Sequence, residues 1–259
     1  MDLRIFQVDA FADRLFAGNP AAIVPLDYWL NAGLMQAIAT ENNLAETAFF
    51  VPEGDEFALR WFTPEVEVDL CGHATLATAH VISTILAPGQ ARMVFNSASG
   101  QLIVTRAPHS LLSLDFPARP PVASMVNLAP SLGVQPLETW FAGGNYMAVL
   151  ADEAAVRALA PDMARVAALD AQGVIVTAAG STTDFVSRYF APQAGIPEDP
   201  VTGSAHCTLA PYWAKRLGRA ETTGFQASRR GGLVRCRDRG ARVDIAGTCV
   251  TYLEGRISV

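Results

Sequence analysis

The chain lacks the features that mark several classes of protein. No apolar run approaches the roughly 18 residues that a membrane span needs. Charges at Asp2, Arg4 and Asp9 interrupt the first apolar stretch, so no secretory signal is predicted. Charged residues make up only 17% of the chain, and no basic block is longer than Arg229-Arg230. With a formal net charge of −6, this argues against nucleic acid and membrane surfaces as partners.

Motifs for cofactors, metals and hydrolysis are also lacking. No Gly-x-Gly-x-x-Gly or phosphate-binding loop occurs, so no nucleotide cofactor is predicted. The four cysteines show no Cys-x-x-Cys spacing and are expected to be reduced thiols. Neither Cys71 with His73 nor His206 with Cys207 matches a zinc pattern, and no Gly-x-Ser-x-Gly elbow surrounds Ser204. We therefore expect no cofactor, no metal and a cytoplasmic location.

What the chain does have is an internal repeat. Of its 259 residues 51% are hydrophobic, which is enough for one large domain or two of ordinary size. Four pairs of similar segments occur in the same order in both halves: 18–24 with 144–150, 60–64 with 188–192, 73–77 with 206–210, and 95–104 with 225–234. Their shared order and spacing indicate an ancient tandem duplication.

The join between the halves is expected at the prolines Pro117, Pro120 and Pro121, which favour an extended linker. This predicts an N-terminal lobe over 1–117, with the C-terminal strand 250–259 as a candidate addition to it, and a C-terminal lobe over 118–259. Alternating apolar residues predict strands, for example at 3–8 and 111–116. Helices are predicted over about 74–86, near 31–40 and over 152–169. Two α+β lobes of one shape follow.

Duplicated halves often face each other across a pseudo-twofold axis, which would place the helix starts at Gly72-His73 and Gly203-Ser204 beside a common cleft. A helix start presents unpaired N–H groups and a positive dipole end, and glycine lets an anion approach closely. The pattern predicts a substrate that carries a carboxylate.

Residues present in only one copy are the better candidates for chemistry. Glu46 stands beside the apolar pair Phe49 and Phe50, whereas the matching stretch 172–177 has no acid. Burial disfavours the charged form of a carboxylate and so raises its pKa. A group that carries protons near neutral pH needs such a raised pKa. The alternative is a surface glutamate at a strand start, and His73 could equally be a structural histidine.

The second copy carries an insertion between Arg188 and His206, and it falls on the acid pair Glu198 and Asp199 ahead of a helix. The structural interpretation is a capped helix start with Ser204 as N-cap and Asp199 as a turn residue before the next proline. A capped helix start is compatible with a functional role for the same residues.

The segments 43–49, 69–77 and 198–206 resemble the signatures of the PhzF (phenazine biosynthesis-like) family, related to diaminopimelate epimerase. The resemblance extends over nearly the whole chain. It implies a diaminopimelate-epimerase-like fold of two pseudo-symmetric lobes, each a β-sheet wrapped around a central helix, usually in a homodimer. It also implies a cofactor-independent isomerase: the type member acts on trans-2,3-dihydro-3-hydroxyanthranilate by moving a proton along the ring.

The same resemblance assigns roles to residues. Glu46 would be the acid/base, and His73, Asp199 and Ser204 would be its catalytic partners. We expect four further residues of these motifs to bind the small carboxylate-bearing substrate, namely Gly72, Gly203, Asn19 and Thr202.

Two alternatives stay open. Related racemases and epimerases use one cysteine from each lobe, and this chain has Cys71 and Cys207 near its two helix starts, although not at equivalent positions. A cysteine-based racemase that uses Cys71 is therefore the first alternative. The second is a small-molecule-binding protein that keeps the fold without the reaction.

Overall fold

The computed structural model describes all 259 residues and divides them into two compact units. The first unit comprises Met1–Asp115 together with Ala246–Val259, and the second comprises Phe116–Ile245. The division falls two residues before the position expected from the prolines, and the returning C-terminal segment begins at Ala246.

Seventeen strands and six α-helices build the two units. The strands are β1 Asp2–Ala10, β2 Asn19–Pro25, β3 Glu46–Glu53, β4 Glu56–Phe62, β5 Glu67–Val68, β6 Arg92–Ser97, β7 Gly100–Arg106, β8 Leu112–Pro117, β9 Val122–Ala123, β10 Glu138–Ala142, β11 Asn145–Val149, β12 Gly173–Ala179, β13 Phe185–Phe190, β14 Glu221–Gln226, β15 Gly232–Asp238, β16 Arg242–Gly247 and β17 Cys249–Ser258. The helices are α1 Ala32–Asn42, α2 Gly72–Val81, α3 Ala129–Leu132, α4 Glu153–Ala158, α5 Met163–Ala167 and α6 Gly203–Leu217. None of these helices is both long and apolar enough to cross a membrane.

In the first unit a mixed sheet holds a helix on each face. Strand β1 pairs antiparallel with β17 and with β2, β2 pairs parallel with β3, and β3 pairs antiparallel with β4. Helix α2 packs against β1, β2, β3 and β17. Helix α1 covers the other face, where Met35 and Ile38 pack with Val24 and Phe49. Eight of the ten α2 residues are buried, as expected of a helix enclosed on all sides.

The second unit repeats this arrangement. Strand β12 pairs parallel with β11 and antiparallel with β13, and β14 pairs parallel with β13 and antiparallel with β15. Helix α6 packs against β14 and β15. Its Trp213 stacks on Phe185 with ring centroids 5.7 Å apart and donates a hydrogen bond to Thr177 Oγ1 at 3.0 Å. Helices α3, α4 and α5 contribute to a second apolar cluster with β11, β12 and β13.

The proline-rich linker is fixed to the second unit by backbone hydrogen bonds. Pro211 lies inside α6 and has no N–H to donate to the carbonyl of Cys207, four residues earlier. The Arg119 backbone N–H donates to that carbonyl instead, at 2.9 Å, and the Ala118 N–H donates to Ala241 O at 3.0 Å. The Cys207 carbonyl, which Pro211 leaves without its usual helix donor, therefore anchors the linker.

In both halves the repeated arginine forms a bidentate ion pair with a glutamate. Arg60 makes a bidentate pair with Glu67, with nitrogen–oxygen distances of 2.6 and 2.7 Å. Arg188 makes the corresponding pair with Glu198 at 2.7 and 3.0 Å. Each guanidinium also lies over the ring of the phenylalanine two residues later. In both copies the arginine thus ties the segment that precedes the central helix to the strand that carries the arginine.

Two helix predictions need correction. The segment 152–169 is not one helix but two short ones, α4 and α5. Pro161 lies in the break, where its ring excludes helix continuation, and the side chains of Asp152 and Asp162 cap the two starts. The helix expected over 74–86 begins earlier, at Gly72, and its last turn, Ile82–Leu86, is a π-helix.

Candidate active site

Three elements of the first unit bring the predicted residues together. Asn19 begins β2 and Glu46 begins β3, and the parallel register pairs Ala21 with Glu46. Because side chains alternate along a strand, Asn19 and Glu46 share the sheet face that α2 covers. His73 is the second residue of α2, and Cys71 is its N-cap.

These side chains surround the imidazole of His73. Its Nε2 lies 3.1 Å from Glu46 Oε2. Its Nδ1 lies 3.2 Å from Asn19 Nδ2 and 3.5 Å from Cys71 Sγ. The His73 and Glu46 side chains are 6% and 13% exposed. The structure thus brings together His73, Glu46 and Asn19 from the set predicted for the isomerase, with Cys71, the residue named for the racemase alternative.

The surroundings set the charge of the imidazole and of the thiol. Burial lowers the pKa of His73, but the contacts with Cys71 and Glu46 outweigh it, and the pKa of His73 lies well above its ordinary value. Burial, and then the charge of Glu46, raises the pKa of the Cys71 thiol. The imidazole thus has a carboxylate at Nε2, and an amide and a thiol at Nδ1.

The same three side chains could also be considered as metal ligands. Ligand atoms of Glu46, Cys71 and His73 lie within 4.8 Å of one another. The imidazole, however, lies between its partners, with Nδ1 toward the thiol and Nε2 toward the carboxylate. A single ion would use one ring nitrogen, so the geometry fits a proton relay better than a metal centre.

A second polar cluster lies in the second unit, ahead of α6. Thr202 Oγ1 donates to Asp199 Oδ2 at 2.6 Å. Gln226 Nε2 donates to Thr202 Oγ1 at 3.0 Å and to Asp199 O at 2.8 Å, and its Oε1 accepts from the Thr202 N–H at 2.9 Å. Asp199 is half-buried, whereas Thr202 and Gln226 are buried.

The start of α6 corrects one expectation. The N-cap is Thr202, with extended backbone, and Ser204 is the second helical residue. Ser204 was predicted as the N-cap from its hydroxyl, but Thr202 takes that position and its own hydroxyl bonds to Asp199 instead of capping the helix. Gly203 and Gly72 are the first residues of α6 and α2, as expected of glycines at helix starts.

Counting from these helix starts changes the alignment of the repeat. His73 is the second residue of α2, whereas His206 is the fourth residue of α6, so the position equivalent to His73 is Ser204. His206 is fully buried and donates from Nδ1 to Thr202 O at 2.8 Å. Burial lowers its pKa to about 4, which keeps this imidazole neutral and structural.

Other features of this region are beyond sequence reasoning. Gln226 was not among the predicted residues; the only signal for it is that the repeat aligns it with a different residue, Asn96. Tyr189 was also missed: its hydroxyl donates to Asn145 Oδ1 at 2.8 Å and its carbonyl accepts from the Asp199 N–H at 3.0 Å. Cys207 is a packing thiol, since burial raises its pKa to about 12.

Comparison with known proteins identifies the family. A model of the phenazine biosynthesis-like protein family, PhzC-PhzF, matches residues 8–255. The chain belongs to this family. A Pseudomonas aeruginosa protein named an uncharacterized isomerase is 52% identical over 259 residues, with 99% of each chain covered. The prediction of an isomerase of the PhzF type is thereby confirmed.

Solved structures give the same result for the fold. The crystal structure of a PhzF-family protein from Enterococcus faecalis is 45% identical, covers 100% of both chains and superposes with a TM-score of 0.95. A hydroxyproline epimerase from Agrobacterium vitis, only 10% identical, reaches a TM-score of 0.66 over 99% of this chain and 92% of its own. The predicted α+β, epimerase-like fold is confirmed.

Proposed function

We propose that this PhzF-family isomerase moves a proton between two carbon atoms of a small carboxylate-bearing substrate, with Glu46 as the acid/base. The substrate class is amino-acid-like or dihydroaromatic. Glu46 would take the proton from one carbon while the electron pair moves into the conjugated system, and it would then return the proton to a second carbon. Atoms and charge balance without a cofactor.

The observation that carries the proposal is the buried contact between Glu46 Oε2 and His73 Nε2. The imidazole places a second proton-carrying group 3.1 Å from the carboxylate, as general acid–base catalysis requires. Neither facing atom makes a well-directed hydrogen bond. The carboxylate is thus held close to the imidazolium without being locked to it.

The second cluster supplies groups for orientation. In the proposal Asp199 and Ser204 orient the amino and hydroxyl groups of the substrate, and backbone N–H groups at Gly72 and Gly203 receive its carboxylate. The homodimer, the cleft and the cytoplasmic location implied by the resemblance stay predictions.

A cysteine-based racemase is the second candidate, and one observation favours it. Cys71 Sγ lies 3.5 Å from His73 Nδ1, close enough for the protonated ring to stabilise a thiolate. The raised pKa of Cys71 works against it, because the reacting species in such enzymes is the thiolate.

Hydrogen exchange at carbon separates the candidates. The protein is incubated in D2O with a panel of α-amino acids and dihydroaromatic amino acids, and deuterium incorporation is followed by NMR. The variants are Glu46→Gln and Cys71→Ser, with Glu41→Gln, an exposed glutamate on α1, as the matched control.

We expect Glu46→Gln to lose at least about 100-fold in exchange rate, the size of a general acid–base contribution. Cys71→Ser should stay within a few-fold of the wild type, and Glu41→Gln should be unchanged. If Cys71→Ser loses deuterium exchange and Glu46→Gln keeps it, the protein is a racemase. If no compound exchanges with the wild type or with any variant, the binding protein is favoured.

A further inference from the structure

Gln226 is a polar side chain placed deep in the second unit. It is the last residue of β14, its register partner on β15 is Gly232 and on β13 is Ser187, and it is 0% exposed. A buried carboxamide costs free energy unless its donors and acceptor are satisfied. Its position on a paired strand makes it a fixed point next to the loop ahead of α6.

All of its polar atoms are used, and in one orientation only. The two Nε2 hydrogens go to Asp199 O and Thr202 Oγ1, and Oε1 accepts from the Thr202 N–H. A flipped amide would set its oxygen against the Asp199 carbonyl and its NH2 against a backbone N–H. The orientation of Gln226 is therefore determined by its partners.

The contacts continue to the carboxylate. The Thr202 hydroxyl accepts from Gln226, so its single hydrogen is directed to Asp199 Oδ2, at 2.6 Å. The chain of hydrogen bonds fixes both the backbone and the side chain of Asp199 from a strand of the sheet.

We call the hydrogen bonds from Gln226 to Thr202 and Asp199 the buried brace. The other half of the repeat has no equivalent of it. The residue aligned with Gln226 is Asn96, which is half-buried and donates to Glu56 Oε2 at 2.9 Å. The buried brace thus belongs to the copy that carries the Glu-Asp-Pro insertion.

We infer that Gln226 is a positioning residue of the isomerase: acting through Thr202, it sets the orientation of the Asp199 carboxylate and of the first turn of α6. This inference rests on the proposed function, in which Asp199 orients the substrate. Misplacing an orienting group by about 1 Å can cost about 100-fold in rate, so the brace bears on catalysis and not only on folding.

The principal test is a double-mutant cycle, measured with the panel compound that the wild type exchanges fastest in D2O. Gln226→Met keeps the chain length and removes every hydrogen bond, and we expect a 10- to 100-fold loss in exchange rate. In an Asp199→Asn background the same change should lower the exchange rate less than about threefold, because Asp199, the group that Gln226 orients, is already altered. A structural role alone would give the same loss in both backgrounds and would overturn the inference.

Asn96→Leu, which removes the aligned carboxamide of the first unit, is the control and should leave exchange unchanged. Glu46→Gln is measured alongside: exchange that persists without Glu46 refutes the proposed function, whatever the cycle gives.

Crystal structures supply a readout that needs no substrate. In Gln226→Met the Asp199 carboxylate should move relative to β14, because Asp199 and Thr202 are no longer held to that strand; an unchanged position would contradict the inference. If Gln226→Met does not fold, Thr202→Val tests the same link, since it removes only the hydroxyl between Gln226 and Asp199, and it should release Asp199 in the same way.

Discussion

At the residue scale, His73 connects the polar groups of the first unit. Glu46 contacts Nε2, and Asn19 and Cys71 contact Nδ1. Opposite charges in a poorly solvated site interact more strongly than in water. The contacts with Cys71 and Glu46 therefore favour the protonated form of His73, while burial and the charge of Glu46 raise the pKa of the Cys71 thiol.

The protonated state of Cys71 gives the first prediction. Because burial and the Glu46 charge raise its pKa, iodoacetamide at pH 7.5 should alkylate Cys71 at less than about one hundredth of the rate of glutathione. Mass spectrometry of the tryptic peptide gives the rate. Rapid alkylation of Cys71 that also stops isomerisation would show a reactive thiolate and support the racemase instead.

Sequence reasoning could reach part of this cluster. Glu46 stood out because the other half of the repeat has no acid there, and His73 follows the glycine that begins α2. The contacts of Asn19 and Cys71 with one ring could not be predicted, because they depend on the register of β2 with β3 and on the exact start of the helix.

At the element scale, the two arginine–glutamate pairs hold equivalent loops but differ in environment. The Arg188 and Glu198 side chains are 13% and 23% exposed, against 30% and 40% for Arg60 and Glu67. Arg188 also donates to the carbonyls of Leu159 and Val156 at the end of α4, at 2.6 and 3.2 Å. The second pair therefore joins three elements.

This difference predicts unequal effects of one substitution. Arg188→Met leaves Glu198 and the Leu159 carbonyl without their donor and should lower the free energy of unfolding by about 3 kcal/mol. Arg60→Met breaks a more solvated pair and should cost about 1 kcal/mol. Urea unfolding followed by circular dichroism measures both, and equal losses would contradict the account.

Elements differed in how well the sequence predicted them. Helix α1 was expected near 31–40 and begins at Ala32, because Asn31 caps it by accepting from the Leu34 N–H. The prediction of one helix over 152–169 was wrong. The composition favours helix throughout the segment, whereas Pro161 and the cap at Asp162 divide it. Local chemistry overrides average propensity at such points.

At the scale of the whole molecule, the duplication appears as two units of similar construction, each with a central helix against a mixed sheet. The duplication and the fold class followed from the order of the repeated segments. The exact alignment did not, since the match of His73 with His206 joins different helix positions. Sequence identity at a few residues cannot fix register where one copy has an insertion.

Two histidines, the buried His206 and the half-buried His80, make global stability depend on pH. Burial lowers the pKa of His206 and of His80 to about 4. The unfolded chain binds protons at its ordinary histidine pKa of about 6.5, so stability is complete above that pH, falls as the pH drops toward 4, and levels off below. His206 alone accounts for roughly 3 kcal/mol of this loss.

The corresponding prediction concerns the slope of stability with pH. Between pH 6.5 and 4, His206→Gln should lose less stability than the wild type, whatever its stability at pH 7, and the exposed His109→Gln should behave like the wild type. Urea unfolding at half-unit pH intervals gives the comparison. Equal slopes for all three proteins would show that His206 does not titrate as described.

In the proposed mechanism Glu46 works beside a protonated His73, and 15N NMR of the imidazole nitrogens measures the protonation of that ring. We predict that the pKa of His73 lies above its ordinary value of about 6.5 in the wild type and in Glu41→Gln, and that Glu46→Gln lowers it. The stability due to the pair would be complete below pH 6.5 and would disappear as the pH rises through the raised pKa of His73. A His73 that is neutral at pH 6.5 in the wild type, or whose titration is unchanged in Glu46→Gln, would show that the two groups are not coupled as proposed.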